Sequence, residues 1–495
     1  MSDPNRTYGQ RKPSGAAGRS SAASGRPAAG VKRPEARPAA RPVPERPAAP
    51  AVRQGDDPDN GKRGFKKYMP TDARITSRGG LRERGFKWLV LMILSTLLQL
   101  VMYITVLTKT DEDDFALVSL CFFGYLVVQW IYYVVFSLLY GRRMELELIG
   151  FTLSAVSMVI TASIYPDGLL TQFIATAIGI AVFAVMIAFL GNISFIVKTR
   201  LFVGLIALGL LGATLLLANW HNGAKNWLYI GGVSIQPSEF VKVAFVYVGA
   251  ATLEKLQNTK SLASYIIFAL ACVGMLFLMY DFGTALIFFA DFLMIAFMRS
   301  GDVRTIALVC AALLLGGILI IIYKPTVTDR FATYRHIWDD MNGKGMQQTR
   351  TIIYSLSGGL FGVGIGNGKL RYTFASTTDL AFGVVCEEMG LLFGFAVVIA
   401  FIFLLVYAIR TAKFTRSAYY AISGCAAAGM MLFQTALIVL GVTDILPFTG
   451  VTLPFVSRGG SSMIASWGLL AFIKAMDLRT YPGVMKELFQ AESRG

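Results

Sequence analysis

The sequence predicts an all-α, polytopic membrane helix bundle with about twelve transmembrane helices. Of its 495 residues, 55% are hydrophobic and only 15% are charged, and the mean hydropathy is +0.58. Soluble domains carry about 25% charged residues, and crossing the hydrocarbon core takes roughly 20 apolar residues in a helix. Many windows of the chain reach that length without the polar stripe of a helix that faces water, which excludes a soluble globular protein.

The first 83 residues differ from the rest of the chain. They are rich in Pro, Ala, Gly, Ser and Arg and have no apolar periodicity, so they cannot bury enough surface to offset the entropy of ordering. Residues 1–87 hold 20 Lys and Arg against 8 Asp and Glu, a net charge of +12 within a total of +16. We expect residues 1–83 to form a disordered, basic cytoplasmic tail. A cleavable signal is not expected, since the first apolar run starts only near Trp88.

Twelve apolar spans follow this tail. The boundary between the seventh and the eighth is weak, because only Tyr280 and Asp281 separate them. We divide the chain into N-terminal transmembrane helices at 84–199, a membrane core at 200–480 and a short cytoplasmic tail at 481–495. The spans lie at about 88–107, 116–138, 147–164, 170–190, 200–218, 238–254, 262–279, 282–298, 304–323, 380–409, 417–441 and 461–476.

The basic residues of the short loops orient the bundle. Cytoplasmic loops of membrane proteins carry an excess of Lys and Arg. With the basic tail in the cytoplasm, eleven basic residues fall in inner loops and three in outer loops, so both termini are expected inside. The inner group is Arg142, Arg143, Lys198, Arg200, Lys255, Lys260, Arg299, Arg304, Arg410, Lys413 and Arg416, and the outer group is Lys109, Lys225 and Arg458.

This orientation places three polar segments on the outer side, at residues 219–237, 324–379 and 442–460. The second is far longer than the 2–8 residues that usually join bundle helices, and its apolar patches indicate that it is ordered and packs against the helices. The other two contain glycine, proline and serine. Irregular backbone is tolerated at membrane depth only where protein or a water-filled cavity satisfies it, so these segments predict an outward-facing polar cavity.

Two adjacent carboxylates, Asp339 and Asp340, stand in the long outer segment just before a glycine turn at Gly343 and Gly345. A carboxylate at such a turn can serve as a general base or as a ligand of a hard divalent cation. Asp and Asn are also common turn formers, so a solvated turn without any chemistry is the alternative. The residues by themselves leave both interpretations open.

Other ionisable residues occur within or beside the apolar spans. Glu239 and Lys242 share one face at the start of the sixth span, because they are three residues apart. Charges at this depth usually face a bundle interior or a wet cavity, but a structural ion pair explains the two equally well. Asp281 and Asp379 lie at span ends, where a helix cap is as good an explanation as a functional role.

Several other kinds of site are disfavoured. The run 362–366 shares only its glycines with a nucleotide-binding loop, since no strand precedes it. The chain has two histidines, and all five cysteines fall inside apolar runs, where a thiol behaves as a small hydrophobic group. We therefore expect no zinc centre, no disulfide, no nucleotide, no haem and no nucleic-acid partner.

Six segments in the same order resemble the SEDS (shape, elongation, division and sporulation) family of bacterial membrane proteins. The most specific is 449–462, which reads Thr-Gly-Val-Thr-Leu-Pro-Phe-Val-Ser-Arg-Gly-Gly-Ser-Ser, and the resemblance covers roughly residues 220–480. The other five are the Asn-Gly-Ala motif that starts at Asn222, Asp281–Ala285, Asp340–Gln347, Thr378–Phe382 and Glu387–Gly390.

The resemblance implies a peptidoglycan glycosyltransferase of the bacterial plasma membrane that polymerises lipid II and releases undecaprenyl diphosphate. It implies that Asp340 is the catalytic base on the acceptor 4-hydroxyl and that Glu239 and Lys242 line a central cavity. A divalent cation, Mg²⁺ or Mn²⁺, could act at the diphosphate with Asp340 or Asp339 as ligand. Further candidates for the cavity or for substrate binding are Gln347, Arg350, Asp379, Ser457 and Ser461, with Arg371 as another cation.

The resemblance also implies partners, namely a class B penicillin-binding transpeptidase, divisome or elongasome proteins, and membrane lipids. Family members typically have ten spans, with three before the Asn-Gly-Ala motif; here five precede it, which predicts two extra N-terminal helices and a catalytic core at 200–480. The chain departs from the family pattern at Asn226, Tyr280, residues 374–377, Leu380 and Arg458, where Arg replaces a common Tyr. These departures leave Asp340 untouched but alter the expected donor site.

Two other functions stay open at this point. The membrane-buried residues Glu239, Lys242 and Asp281 would also suit a flippase or transporter of lipid II. The long basic tail would suit a non-catalytic scaffold that recruits a penicillin-binding transpeptidase, because such a tail can bind anionic lipid headgroups or cytoplasmic partners. Polymer formation from lipid II by the purified protein separates the enzyme from both.

Overall fold

The computed structural model describes residues 78–140, 143–220, 223–253, 259–300 and 333–480. Most of the expected disordered tail, the ninth expected span at 304–323 and the C-terminal tail at 481–495 lie outside the described residues. In chain order the helices are α1 Arg78–Leu107, α2 Glu112–Tyr140, α3 Glu145–Ile164, α4 Leu169–Phe189, α5 Ile193–Leu217, α6 Pro237–Leu253, α7 Thr259–Leu278, α8 Phe282–Ser300, α9 Met346–Ser357, α10 Ala381–Glu388, α11 Leu391–Ala412, α12 Ala418–Val442 and α13 Gly460–Thr480.

The predicted all-α membrane bundle is confirmed. Eight of the described helices are long and apolar enough to cross a membrane, and the chain is a multi-pass membrane protein. The boundary predicted between the seventh and eighth spans is confirmed, because α7 ends at Leu278 and α8 begins at Phe282. The Asp281 carboxylate caps α8 by accepting a hydrogen bond from the Thr284 N–H at 3.2 Å. A single short hairpin, β1 Leu228–Ile230 paired with β2 Val233–Ile235, is the sheet among the described residues.

The tenth expected span begins later than predicted. Helix α10 ends at Glu388 and α11 begins at Leu391, so the expected run 380–409 is two helices. Gly390 between them has φ +95°, and a Cβ there would lie 2.3 Å from the carbonyl oxygen of Leu360. The break exists because the backbone of the glycine-rich segment crosses at this point, which hydropathy does not reveal.

Helix α13 forms the centre of the bundle. Nearly all of its residues are buried, and it packs most extensively on α4 and α12. The Trp467 indole fits against Gly150 of α3 and Gly179 of α4, where an added Cβ would lie 3.0 and 2.8 Å from the ring. Small residues allow helices in membranes to approach this closely. We call the end of the bundle that carries residues 333–379 and the start of α13 the loop face.

The hairpin of α1 and α2 packs on α3 and α4. At the end opposite the loop face, a buried charge cluster connects α3 with α13. Lys474 lies 2.9 Å from a Glu147 carboxylate oxygen, and Arg143 lies 3.6 Å from Asp477. The Tyr132 hydroxyl of α2 donates to Glu147 at 3.2 Å. The α1–α2 hairpin is therefore joined to the rest of the bundle by this polar contact of α2 as well as by apolar packing.

Candidate functional site

Asp340 lies in an exposed turn on the loop face, just before α9. Its backbone carbonyl accepts hydrogen bonds from the N–H groups of Gly343 and Gly345, at 3.3 and 3.2 Å. Its Oδ2 accepts a hydrogen bond from the Lys344 N–H at 3.0 Å. A Cβ at Gly343 would lie 2.2 Å from that oxygen. The turn therefore orients the carboxylate while the side chain stays accessible, and it requires glycine at 343.

The Asp340 turn is anchored to the end of α12. The Arg335 N–H donates to the Asp444 carboxylate at 3.2 Å. Gln348, in the first turn of α9, donates from Nε2 to the Gly441 carbonyl at 3.0 Å. These bonds join segments far apart in sequence, so the position of this exposed turn is set by the bundle.

Asp339 faces away from this arrangement. Its Oδ2 lies 3.0 Å from Nδ1 of His336, and the two side chains are 76% and 68% exposed. In the parts of the chain that the structure describes, no three His, Cys, Asp or Glu side chains are grouped so that they could hold a metal ion. Mg²⁺ commonly takes one or two carboxylates and completes its shell with water and substrate phosphates. Asp340 and Asp339 fit only a site of this kind, in which water and substrate phosphates supply the other ligands. Their role as metal ligands stays a prediction.

Gln347 and Arg350 lie on α9, directly after the Asp340 turn. The Gln347 Nε2 donates to the carbonyl of Phe374 at 3.1 Å, which ties α9 to the 374–379 segment. Arg350 is partly buried and forms no hydrogen bond or ion pair with any described residue. Arg371, by contrast, donates to the Gly366 carbonyl at 3.1 Å. Arg350 is thus the cation on α9 that is available to an anionic ligand.

Glu239 and Lys242 form a buried ion pair in the first turns of α6. The Lys242 Nζ lies 2.6 Å from Oε2 of Glu239, and their side chains are 2% and 5% exposed. The Lys242 Nζ meets this Glu239 oxygen at an angle that is unfavourable for a hydrogen bond, so the contact between the two groups is mainly electrostatic. Lys242 also donates to Oε1 of Gln434 on α12 at 2.8 Å, and Gln434 donates to the Thr452 carbonyl at 2.6 Å. The predicted cavity residues are therefore enclosed by their own polar network.

Helix α12 connects this network with the Asp340 turn. Gln434 binds Lys242, and Gly441, seven residues further along the helix, binds Gln348 beside the turn. Seven residues of α-helix rise about 10 Å. The buried ion pair and the exposed carboxylate do not touch, but both are positioned by the same helix.

Asp281 organises a second polar cluster. Besides capping α8, its Oδ2 accepts hydrogen bonds from the side-chain amides of Asn226 at 2.9 Å and Gln236 at 3.3 Å. The backbone N–H of Gln236 donates to the Ser461 hydroxyl at 3.1 Å. The helix-cap explanation of Asp281 is therefore confirmed, and the cap also holds the segment before α6 against the start of α13.

Ser457 also serves the backbone. Its hydroxyl donates to the Thr378 carbonyl at 2.6 Å and accepts a hydrogen bond from the Leu453 N–H at 2.8 Å. These bonds hold the 449–459 segment against residues 377–379. Asp379 belongs to the 377–379 segment and is partly buried. Its Oδ2 lies 3.2 Å from the position that a Cβ at Gly450 would occupy. The substrate roles of Ser457, Ser461 and Asp379 stay predictions, and the structure assigns both serine hydroxyls a stabilising role.

The two glutamates at the end of α10 order the glycine-rich segment. The Glu387 carboxylate accepts hydrogen bonds from the N–H groups of Lys369 at 2.6 Å and Leu370 at 2.9 Å. The Glu388 carboxylate accepts one from the Gly366 N–H at 3.1 Å. Burial raises the pKa of Glu388, and the Gly366 hydrogen bond offsets part of that rise. The Glu-Glu pair is thus the structural clamp of residues 366–370.

Two glutamines that the sequence did not single out contribute to the site. Gln434 accepts a hydrogen bond from Lys242, and Gln348 anchors the Asp340 turn. Gln434 is the only amide side chain in α12, and a polar group in an apolar helix is a usable signal. Gln348 carries no comparable signal, because polar residues are ordinary in a loop segment.

Comparison with known sequences shows a family. The FtsW/RodA/SpoVE family, described as cell cycle proteins, matches residues 137–481. The peptidoglycan glycosyltransferase RodA of Mycobacterium tuberculosis is 27% identical over 336 residues, covering 63% of this chain and 72% of that protein. The probable peptidoglycan glycosyltransferase FtsW of Tolumonas auensis is 33% identical over 293 residues, covering 56% and 74%. Stage V sporulation protein E of Bacillus subtilis is 30% identical over 250 residues, covering 49% and 68%.

Solved structures share the fold. A chain from a peptidoglycan synthase complex that coordinates polymerization and crosslinking aligns with a TM-score of 0.55 at 23% identity, covering 68% of this chain and 98% of that one. The rod shape determining protein RodA of Thermus thermophilus aligns with a TM-score of 0.50 at 22% identity, covering 68% and 97%. The family match leaves α1 and nearly all of α2 outside it. Over residues 137–481 the chain belongs to the FtsW/RodA/SpoVE family, and its described helices share the fold of these solved structures.

Proposed function

We propose that this protein is a peptidoglycan glycosyltransferase that polymerises lipid II into glycan strands during cell division or cell elongation. The reaction is supported by the names of two relatives, RodA and FtsW, both of which are described as peptidoglycan glycosyltransferases. The observation that carries the proposed site is Asp340, an exposed carboxylate oriented by its own turn, in the segment where the family resemblance expects the catalytic base. The turn that carries Asp340 is anchored to the end of α12 by hydrogen bonds of Arg335 and Gln348.

The proposed reaction follows from this geometry. Oδ2 of Asp340 is held by the Lys344 N–H, and the carboxylate takes the proton of the acceptor 4-hydroxyl as that oxygen attacks C1 of the donor sugar. The new glycosidic bond forms while the bond between C1 and the diphosphate breaks, and undecaprenyl diphosphate leaves with the bonding electrons. A positioned general base contributes about 10²–10⁴-fold to such a rate.

The leaving diphosphate needs positive charge. Arg350 is the first candidate, because it has no partner among the described residues and lies on the helix that follows the Asp340 turn. Lys242 is the second, although its charge is already balanced by Glu239 at 2.6 Å. A divalent cation, Mg²⁺ or Mn²⁺, shared between Asp340 or Asp339 and the substrate phosphates would supply the same neutralisation. Removal of divalent cations by a chelator tests that contribution.

The distribution of basic residues supports an orientation with the loop face on the outer side of the plasma membrane and both termini in the cytoplasm. Lipid II would then reach Asp340 from the outer leaflet. A class B penicillin-binding transpeptidase, with divisome or elongasome proteins, is the proposed partner. Its support is that a structural neighbour comes from a complex that couples polymerization with crosslinking.

Polymerisation of lipid II by the purified full chain, with and without the transpeptidase, tests this proposal. Asp340→Asn is expected to lower the rate by about 100-fold or more and to leave the melting temperature unchanged, since the side chain is exposed. Asp113→Asn removes an equally exposed carboxylate in the first turn of α2 and serves as the control. Parental polymerisation by Asp340→Asn would reject Asp340 as the base.

A lipid II flippase is the second candidate, favoured by the buried Glu239–Lys242 pair within the bundle. Translocation of fluorescent lipid II in reconstituted vesicles distinguishes the two activities. Translocation without polymer, lost in Glu239→Gln, would support the flippase; polymer without translocation supports the glycosyltransferase.

A further inference from the structure

Arg458 is an arginine on the loop face of the bundle. It lies two residues before α13, in a partly buried position. No carboxylate of the described residues forms an ion pair with it, and its Nε is buried without a hydrogen-bond acceptor. Burial lowers the pKa of the guanidinium, partly offset by Tyr165. A half-desolvated cation of this kind is costly unless a ligand supplies the missing negative charge.

The surroundings of Arg458 hold its planar group in one place. Its guanidinium carbon lies 4.5 Å from the centre of the Tyr165 ring, and Tyr165 is itself 45% exposed. A Cβ at Gly168 would come within 2.9 Å of the guanidinium Nη1 and 2.4 Å of the Tyr165 ring. The contact between Arg458 and Tyr165 therefore depends on glycine at 168. A cation–π contact of this type positions an arginine without neutralising its charge.

The backbone of Arg458 is fixed to the proposed site. Its N–H donates to the Thr377 carbonyl at 2.8 Å, and the next N–H, that of Gly459, donates to Oε1 of Gln172 on α4 at 3.1 Å. Thr377 belongs to the segment whose Phe374 carbonyl binds Gln347 beside the Asp340 turn. Arg458 is therefore connected, through residues 374–377, to the proposed catalytic turn, and it stands between that segment and the α3–α4 connection.

We propose that Arg458 binds a phosphate of a lipid-linked diphosphate at the loop face. This inference rests on the proposed function, whose substrate and product both carry a diphosphate. Arginine suits phosphate because its planar donors form paired, charge-assisted hydrogen bonds. The start of the 21-residue helix α13 adds a favourable field for an anion close by. The Arg458 guanidinium thus gives this chain a cationic phosphate contact next to the start of α13.

The test measures binding directly, so it does not depend on turnover. The purified full chain in nanodiscs is titrated with undecaprenyl diphosphate, with undecaprenyl monophosphate, undecaprenol and phosphatidylglycerol as comparison ligands. Arg458→Gln is expected to weaken undecaprenyl diphosphate binding by about 10- to 100-fold, the usual effect of losing a hydrogen bond to a charged group. Arg458→Lys keeps the charge but loses the planar, paired donors of the guanidinium, and its affinity is expected to fall between those of the parent and Arg458→Gln.

Arg410→Gln is the matched control, because it removes an exposed arginine at the end of α11. Its affinity is expected to equal that of the parent. Steady-state kinetics with lipid II add a second readout, in which KM rises more than kcat falls for Arg458→Gln. Melting temperatures identify a variant that fails to fold, and in that case the Arg458→Lys comparison carries the test.

The outcomes separate this inference from the proposed function. A parent that binds undecaprenyl diphosphate but forms no polymer would overturn the glycosyltransferase and leave the Arg458 site standing. Binding by Arg458→Gln within twofold of the parent, or no binding by the parent, would overturn the site. An equal affinity of the parent for phosphatidylglycerol, lost in Arg458→Gln, would show that the residue holds a phospholipid headgroup and would also overturn the proposal.

Discussion

Replacement of Lys242 by methionine tests whether the buried ion pair is structural or acts on substrate. Methionine keeps an unbranched chain but removes the charge that lies 2.6 Å from Glu239 and 2.8 Å from Gln434. Because Glu239 is only 5% exposed, it would be left as an uncompensated buried charge. Breaking such a pair from one side typically costs about 3–5 kcal/mol. Lys242→Met is therefore expected to lower the free energy of unfolding by that amount.

The double variant Glu239→Gln/Lys242→Met removes both charges and should recover most of this loss, since an apolar or neutral replacement of a whole buried pair is often nearly neutral. Equilibrium unfolding in mixed detergent, measured for the parent, both single variants and the double variant, gives the coupling free energy between the two residues. A coupling below about 0.5 kcal/mol would contradict the electrostatic reasoning, because additivity within that limit is expected of independent sites.

Lipid II polymerisation by the same four proteins then separates the two roles of Lys242. If the pair is structural, the stable double variant regains activity. If Lys242 balances the diphosphate, the double variant folds but stays inactive, with a loss of activity that stability does not explain. Parental stability of Lys242→Met alone would refute the whole argument, because it would mean that Glu239 is not left uncompensated.

Two further predictions concern the clamp around the glycine-rich segment. The pKa of Glu388 is raised above its ordinary value of 4.5, so its contribution to stability is complete below about pH 4.5 and is lost as the pH rises through the raised pKa. Glu388→Gln should flatten that decline in melting temperature between pH 4 and 8, and an unchanged slope would contradict the assignment. Gly390→Ala should cost at least about 1–3 kcal/mol, because φ is +95° and ψ is 160°, and its Cβ would meet the Leu360 carbonyl at 2.3 Å. Gly209→Ala, which has no atom within 4 Å, should not lower the melting temperature, and equal losses in both variants would rule out the local explanation.

Much of the fold can be predicted from the sequence, because the insertion of a segment into the membrane depends on its local composition. A run of about 20 apolar residues must form a helix in lipid, where every backbone group needs an internal partner. The helix bounds therefore follow the hydropathy closely, including the narrow break at Tyr280 and Asp281. The prediction was wrong where a tertiary contact interrupts an apolar run, at Gly390.

The candidate site was predicted unevenly for the same reason. Asp340 stands in a motif of consecutive residues, so its exposed, oriented turn was expected from sequence and is present. Ser457 belongs to an equally specific motif, but its hydroxyl bonds to the Thr378 carbonyl, 79 residues away in the chain. A motif identifies which residues matter to a family; it does not say which of them face a ligand.

What the sequence by itself determined is the kind of molecule, namely an all-α polytopic membrane bundle with Asp340 in a glycine turn. These features depend on composition and on neighbours along the chain. Only the tertiary structure decided the partners of each polar group: Lys242 with Gln434, and Arg458 with Tyr165 and with no carboxylate among the described residues. The physical reason is that a buried charge is satisfied by whichever distant segment packs against it, and helix packing is a property of the whole bundle.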